Sequence, residues 1–420
     1  MSIMKNLSDE KWKSCKYEVN VEIHFSDGTV RSLKKPQIAG LYLEKDFDND
    51  HMPILLLDLA LSQIDENAIN DDTEFHIRIN QFYTEGDGKE QQSPKIWLND
   101  TFVKINLSGS SKDTTSSNIE RSIRNSNNMT DDDVAPEDLA SQKTYPLGKK
   151  SDLMLTKKIV NGVIINADQK AILGYMLSKA GCRKPMLISN LTNPETIAEH
   201  IVHPKNLLYN MVYHEKEYGW HQEGTYVFFD YDYLYITRMN GICTTWRPNE
   251  PKTICFCISE STSDDNVPSG VLVKNEIVYF NIGFDQYKPA NAATVSDQIE
   301  GNNMLLISTA NGGSKNVQAN VKSQGSGAYA TKSHHGHNPY MEEQHNRRKI
   351  EQETQIELTC TNGDIGHLTP NKQVTILTDV TSIANDFKGN YRLGSFRMSL
   401  IKNGDYFDSS TKIIVKRVSK

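Results

Sequence analysis

The sequence is short of apolar residues, cysteines and long hydrophobic runs, and it carries no excess of basic charge. Only 37% of the 420 residues are hydrophobic, against about 45–50% in an ordinary soluble domain, so we expect several modest cores rather than one large one. The longest nearly apolar run, 54–61, is far below the roughly 20 residues of a membrane-spanning helix. No membrane insertion is therefore expected.

Charge and cysteine content exclude two further classes of protein. The formal net charge of −7 is the opposite of the basic footprint of a nucleic-acid-binding domain. Six cysteines in 420 residues are too few for the disulfide framework of a small secreted fold, and residues 1–18 lack the apolar segment of a secretory signal. The abundant asparagine, serine and threonine favour turns and loops over helix interiors.

The common catalytic signatures are missing as well. The sequence contains no G-x-S-x-G nucleophile turn, no glycine-rich phosphate loop and no H-E-x-x-H metal motif. We therefore expect a protein that is not an enzyme and needs no cofactor. No catalytic, cofactor-binding or metal-binding residue is predicted.

Three polar clusters have both a chemical and a structural interpretation. Cys255 and Cys257 occupy alternate positions of one predicted strand, which favours a shared place in a core, because no second ligand pair lies nearby to complete a zinc site. The histidine cluster at 334–337 contains metal ligands, but its polar loop favours solvated side chains; metal binding there stays open. Asp230 and Asp232 have the spacing of carboxylates that could flank a sugar, yet a tight turn between two aromatic strands is favoured.

Two polar segments divide the chain. Residues 108–151 are dominated by Ser, Asn, Asp and Thr, and residues 311–355 by Gly, Ser and His; neither has enough apolar surface to offset the entropy of ordering. We predict that the first is a linker and the second a long loop. The ordered parts that remain are 1–107, 152–250, and 251–310 together with 356–420.

The first and last parts are predicted to be β. Apolar and polar residues alternate between positions 17 and 25, as in a half-buried strand, and positions 26–29 contain the Asp-Gly pair of a hairpin turn. The run 54–57 suits a strand buried on both faces, and Asn403-Gly404 predicts another hairpin. Short strands separated by turns suggest small barrels or sandwiches.

The middle part is predicted to mix helices and strands. Asn166 and Gln169 have the spacing of a capping box, followed by a helical run that stops at Gly181. A second helix is predicted over 193–204, with proline at its first helical position and a second proline at its end. A third helical pattern covers 207–219.

An aromatic hairpin is predicted over 224–239, where the sequence reads GTYVFFDYDYLYITRM. Neighbouring residues of a regular strand point to opposite faces. We therefore expect only one of Phe228 and Phe229 to be deeply buried, where the hairpin packs on the helix at 207–217.

This hairpin resembles a stretch of bacteriophage tail proteins. The sequence reads YGW at 218–220, GTY at 224–226, VFFDYD at 227–232 and LYI at 234–236. It is similar to the "YG-aromatic … G … FFD-aromatic-D … YL" stretch in tail and baseplate hub proteins of bacteriophages of Gram-positive hosts. The order of the parts, β, then mixed, then β, also resembles the central hub of contractile tails.

The resemblance implies an α+β, predominantly β fold, with two tube-type β-barrel domains and an inserted mixed α/β domain. It implies a structural virion protein of the tail baseplate, made in the host cytoplasm. Such hubs form a homotrimer that connects the tail tube protein to the central spike protein and contacts other baseplate proteins. Three copies of two barrels would present a pseudo-sixfold face to the tube, and viral DNA would pass through the channel without specific binding.

Two alternatives belong to other classes. One is another tail or baseplate component, either a wedge protein or a receptor- or glycan-binding tail protein; the lack of tryptophan after position 250 counts against the binding protein. The other is a cell-wall hydrolase, for which the sequence offers neither a nucleophile nor a ligand set.

Overall fold

The structure is a computed structural model, and it describes residues 7, 10, 12–47, 50–61, 67–85, 90–105, 141–189, 196–221, 225–238, 242, 245–259, 270–283, 287–289, 303–305, 307–308, 317–318, 328–330, 355–378 and 389–418. The first strands are β1 (Lys13–His24), β2 (Val30–Ser32), β3 (Ile38–Asp46), β4 (Ile54–Leu61), β5 (Glu74–Glu85), β6 (Glu90–Lys104), β7 (Ser141–Lys149) and β8 (Ile159–Asp168). The middle strands are β9 (Met186–Ile188), β10 (Thr196–Asn206), β11 (Thr225–Phe229), β12 (Leu234–Arg238), β13 (Thr253–Ser259), β14 (Val271–Lys274), β15 (Ile277–Gly283) and β16 (Tyr287–Pro289). The last are β17 (Asn303–Leu305), β18 (Ile307–Ser308), β19 (Val317–Gln318), β20 (Ala328–Ala330), β21 (Gln355–Thr361), β22 (Gln373–Thr378), β23 (Asn390–Asn403) and β24 (Tyr406–Val418). The helices are α1 (Lys150–Lys157), α2 (Gln169–Ala180) and α3 (Leu207–Glu217).

Strands from both ends of the chain close a first barrel. Pairing runs β1–β5–β6–β7–β4–β3–β23–β24 and returns to β1, with antiparallel neighbours throughout. Along β1 the apolar members of the alternating pattern are buried and the polar ones face outward, as the period of two predicts. In β4 both faces are covered, which confirms the interpretation of the run at 54–57.

A second barrel lies beside the first. From β23 the pairing continues through β22, β13 and β15 to β14, and a single residue pair, Lys13 with Val271, joins β14 to β1. On the other side, β21 pairs with β24 along its length and lies beside β15. The fold is therefore predominantly β, with two barrels and an inserted mixed domain, as the sequence predicts.

The two barrels share the β23–β24 hairpin. Its tip half pairs with β3 and β1 in the first barrel, and its base half pairs with β22 and β21 in the second. The predicted turn at Asn403-Gly404 is confirmed, since Asn403 pairs with Tyr406 and Gly404 has φ +61°, a conformation that glycine adopts without strain. One buried cluster of apolar side chains runs through both barrels.

The inserted domain packs α2 and α3 against a two-stranded β8–β10 ribbon, with β11, β12 and β9 forming a second small sheet. The N-cap of α2 is Asp168, whose carboxylate accepts a hydrogen bond from the Ala171 amide at 2.7 Å. The predicted cap at Asn166 is therefore two residues early, while the stop at Gly181 (φ +75°) is confirmed.

Two sequence-based boundaries are wrong. The predicted linker 108–151 contains β7, a strand that pairs with both β4 and β6; residues 106–140 lie outside the described residues. The predicted helix at 193–204 is instead β10, which pairs with β8, because its inward-facing apolar residues complete the core under α2 and α3. Residues 190–195 lie outside the described residues, and most of the predicted loop at 311–355 does too.

The expectation for the aromatic hairpin is also wrong in one respect. Phe228 and Phe229 do point to opposite faces, but both are fully buried. Phe228 enters the core of the barrels, and Phe229 enters the core of the mixed domain. The hairpin lies between two cores, so neither face is solvated.

Candidate functional site at the domain junction

The β11–β12 hairpin turns at the point where the mixed domain meets the first barrel. The Asp230 amide donates to the Tyr233 carbonyl at 2.9 Å, and the strands on either side pair in register, with Phe229 opposite Leu234. This confirms the predicted tight turn. Asp230 is fully buried and Asp232 is exposed, so the two carboxylates do not face one substrate as an acid–base pair would.

Asp230 is a buried carboxylate held by two cations from distant parts of the chain. Its Oδ1 lies 2.5 Å from Lys45 Nζ, and its Oδ2 lies 3.1 Å from Arg247 Nη2. Burial alone would raise the pKa of Asp230, but Lys45, Arg247 and the hydrogen bond from the Tyr231 amide outweigh it and hold the pKa below its ordinary value. The carboxylate is therefore ionised at neutral pH.

Lys45 is the cation that the first barrel contributes to this site. It follows Leu41 and Leu43 at an inward-facing position of β3 and is almost fully buried. Burial lowers the pKa of its ammonium, although Asp230 opposes the change. The ammonium also lies 5.0 Å from the ring centroid of Tyr231, a cation–π contact.

Two more lysines surround the same turn. Lys149 Nζ lies 2.9 Å from Asp100 Oδ2 and donates to the Tyr231 carbonyl at 2.7 Å. Lys184 Nζ lies 2.5 Å from Asp152 Oδ1 and also donates to the Asp230 carbonyl. The backbone carbonyls of the turn are thus bonded to Lys149 of β7 and to Lys184, and these two lysines connect the turn to β6 and α1.

Arg247 extends the network toward the second barrel. Its Nε donates to the Tyr235 hydroxyl at 2.6 Å, and its guanidinium carbon lies 4.9 Å from the ring centroid of Tyr233. Three residues further on, the Glu250 carboxylate lies 3.0 Å from Lys372 Nζ, and both side chains are buried. The segment that leaves the mixed domain is therefore attached to the turn before β22.

Asn371 makes a second attachment at this turn. Its side-chain amide nitrogen donates to the Thr237 hydroxyl at 2.8 Å and to the Arg238 carbonyl at 2.6 Å, and its oxygen accepts from Arg392 Nη1 at 3.0 Å. The side chain thereby joins β12 to β23. We call the whole set of contacts from Asp230 to Asn371 the junction. It fixes the mixed domain to both barrels through buried charges, which have strict geometric requirements.

The other candidate residues lie elsewhere. Cys255 and Cys257 are buried against Trp12 and Leu272 on the outer face of the second barrel, which confirms the core interpretation. The histidine cluster at 334–337 lies outside the described residues. Within the part of the chain that the structure describes, no three His, Cys, Asp or Glu side chains are grouped to hold a metal ion, and no helix is long and apolar enough to cross a membrane.

Sequence reasoning missed the cationic half of the junction. A signal for Lys45 was present, since it continues the inward-facing series of Leu41 and Leu43 where an apolar residue is expected. Lys149, Lys184 and Arg247 carry no comparable local signal, because their partners are distant in sequence.

A comparison with known protein families shows to which family the chain belongs. The model of a family described as "Bacteriophage PBS1 gene 109 protein" matches residues 9–418. The chain belongs to this bacteriophage family. The match covers both barrels and the mixed domain, and it agrees with the phage kinship inferred from the aromatic hairpin. No curated protein matches the chain.

Several solved structures of tail proteins match the chain over most of its length, at low identity. The 43 kDa tail protein of prophage MuSo2 from Shewanella oneidensis is 11% identical with a TM-score of 0.49, covering 94% of this chain and 96% of that one. The tail protein from Neisseria meningitidis MC58 is 10% identical with a TM-score of 0.48, covering 95% and 97%. The prophage tail protein gp18 from Listeria monocytogenes EGD-e is 8% identical with a TM-score of 0.42, covering 95% and 94%.

Proposed function

We propose that this phage protein is a structural subunit of the tail hub, located in the baseplate of the virion. It would act as a homotrimer that connects the tail tube protein to the central spike protein and contacts other baseplate proteins. The observation that carries the proposal is the pair of barrels fused through the β23–β24 hairpin. Three chains with two barrels each supply six positions, so a threefold ring can meet a sixfold tube.

The junction supports this role because a connector must transmit force without a hinge. Asp230, Lys45 and Arg247 join the mixed domain to the barrels through buried charges, and parting a buried ion pair leaves uncompensated charge at a cost of several kcal/mol. The domains should therefore move as one body when the tail contracts or docks.

The charge of the chain suits a DNA channel. A ring built from subunits of net charge −7 repels phosphate rather than binding it. DNA would then slide through the ring without specific contacts. A basic lining would instead hold the phosphates and slow the passage of the genome.

The proposed role needs no chemistry from the chain itself, and we propose that it is not an enzyme. The purified protein should not digest cell walls of the host. Digestion that disappears when one Cys, His or Asp is replaced would overturn this part of the proposal. Digestion that survives every such replacement would identify a contaminant.

The decisive experiment is an image of the assembled particle together with the mass of the isolated ring. Three copies around the tail axis, between tube and spike, would support the hub. Six copies would move the protein to a tube or wedge ring. A closed ring of any other count would refute the proposal.

A further inference from the structure

The outer face of the β8–β10 ribbon carries four exposed aliphatic side chains. Ile165 and Ile159 are 69% and 68% exposed, the two most exposed large hydrophobic side chains of the described residues. Val163 and Ile201 are directly opposite each other across the ribbon and are also more than half exposed. We call these four side chains the stripe; from Ile159 to Ile165 it spans six residues, or about 20 Å at about 3.3 Å each, and the exposed Asn161 lies between Ile159 and Val163. A group of exposed apolar side chains on one face is typical of an interaction site.

The inner face of the same ribbon shows why the exposure is unusual. Val160, Ala167, Ile197 and Val202 are buried against α2 and α3, so the ribbon already has the one covered face that a two-stranded sheet needs. Most antiparallel sheets with one buried face place polar residues on the other. Here three of the four outward positions of β8 are apolar, namely Ile159, Val163 and Ile165, and Asn161 is the polar exception.

Charges of opposite sign mark the two ends of the stripe. Lys157 and Lys158 precede Ile159, and Lys205 lies at the same end because β10 runs antiparallel to β8. At the other end are Glu199, which is opposite Ile165, and Asp168. All five charged side chains are exposed. The stripe therefore has one basic end and one acidic end.

This charge pattern favours a second copy of the same chain as the partner and a twofold axis as the symmetry. When two copies pack face to face about a twofold axis perpendicular to the strands, the ribbons run in opposite directions and each basic end meets an acidic end, whereas a twofold axis along the strands would bring like ends together. When ribbons stand side by side around a threefold axis along the strands, like ends meet and repel. A surface that complements itself in this way forms an isologous contact.

The geometry points to pairing of two copies of this chain through the β8–β10 face before they enter any larger ring. The aliphatic stripes pack against each other, and the charged ends fix their opposite directions. A twofold contact cannot close a threefold ring, so this inference is independent of the hub proposal. The ring count in the particle tests the hub, and the association of the free chain tests the pairing.

The first test measures self-association of the full chain by sedimentation velocity over about a hundredfold range of concentration. The wild type should form a pair. The variant Val163→Thr/Ile201→Thr keeps β-branched side chains on the strands and removes the apolar contact, so its dissociation constant should rise at least about tenfold. Ile401→Thr is the matched control, because Ile401 is an exposed isoleucine on β23, and it should pair like the wild type.

The second test exchanges the end charges. Glu199→Lys alone and Lys158→Glu alone should each weaken the pair, while an equimolar mixture of the two variants should restore it, because both ends are then complementary again. Thermal unfolding of each variant verifies that the fold is intact. The inference is overturned if the wild type stays monomeric or forms trimers without pairs. It is also overturned if the Val163→Thr/Ile201→Thr variant associates like the wild type, or if the mixture of charge variants fails to restore pairing.

Discussion

Replacing Asp230 by asparagine should destabilise the protein strongly, whereas the same replacement at Asp232 should have little effect. Both residues belong to one turn and differ by two positions, but Asp230 is fully buried and Asp232 is exposed. Comparing the two variants therefore separates the effects of burial and ionic partners from those of position in the turn. This makes Asp232→Asn a matched control for the junction.

The expected magnitude follows from the contacts of the carboxylate. Asp230 faces Lys45 Nζ at 2.5 Å and Arg247 Nη2 at 3.1 Å. An amide cannot neutralise either cation, and its NH₂ group would face one of them. Removing one partner of a buried pair costs about 3–5 kcal/mol, whereas an exposed replacement typically changes stability by less than about 0.5 kcal/mol.

Urea unfolding followed by tryptophan fluorescence measures the difference, since Trp220 is fully buried in the mixed domain. Lys45→Met should also be destabilising alone, and the double variant with Asp230→Asn should lose less than the sum of the two, because contacting partners couple by about 0.5–3 kcal/mol. If the free energies of unfolding of Asp230→Asn and Asp232→Asn differ by less than about 1 kcal/mol, the junction does not stabilise the domains as described.

Three further outcomes are expected. Phe228→Ala and Phe229→Ala should each cost about 3–5 kcal/mol, since both rings are fully buried; a small loss at either would show that its core is poorly packed. Burial lowers the pKa of His214 to about 3, so protonation of the unfolded chain should remove about 1.4 kcal/mol of stability per pH unit below 6.5, or about 2 kcal/mol at pH 5. His214→Gln should reduce this acid sensitivity in urea titrations at pH 7 and pH 5; an equal loss of stability between the two pH values in the wild type and the variant would contradict the assignment. Burial raises the pKa of the Cys360 thiol to about 12, so a thiol reagent should label it only after unfolding, and labelling in the folded protein would be evidence against its place in the core.

Local patterns predicted the local structure well. Alternation identified β1, the Asn403-Gly404 pair identified the longest hairpin, and the turn at Asp230 was favoured over a catalytic pair. Each of these features depends on residues within a few positions of one another. The phage kinship likewise followed from a short aromatic stretch.

Features that depend on distant partners were missed or misassigned. The segment 193–204 has a proline suited to a helix start, but pairing with β8 overrides that preference. The strand β7 lies in a segment whose composition predicts a linker, because its few apolar residues, such as Tyr145 and Leu147, become informative only beside β4. The four cations around the turn at Asp230 come from four separate parts of the chain. Only Lys45 has a local signal, so local patterns do not predict that the four lie together.

The shared β23–β24 hairpin also dictates when the protein can finish folding during synthesis. Its strands follow all the other strands of the two barrels in the chain, yet both barrels require them. Until the hairpin has been synthesised, β1 and β3 lack the strands that pair between them, and unpaired strand edges on a nascent chain promote aggregation. Closure across almost the whole sequence also makes folding slow. Loss of this one hairpin would open both barrels together, so neither barrel is an independent folding unit.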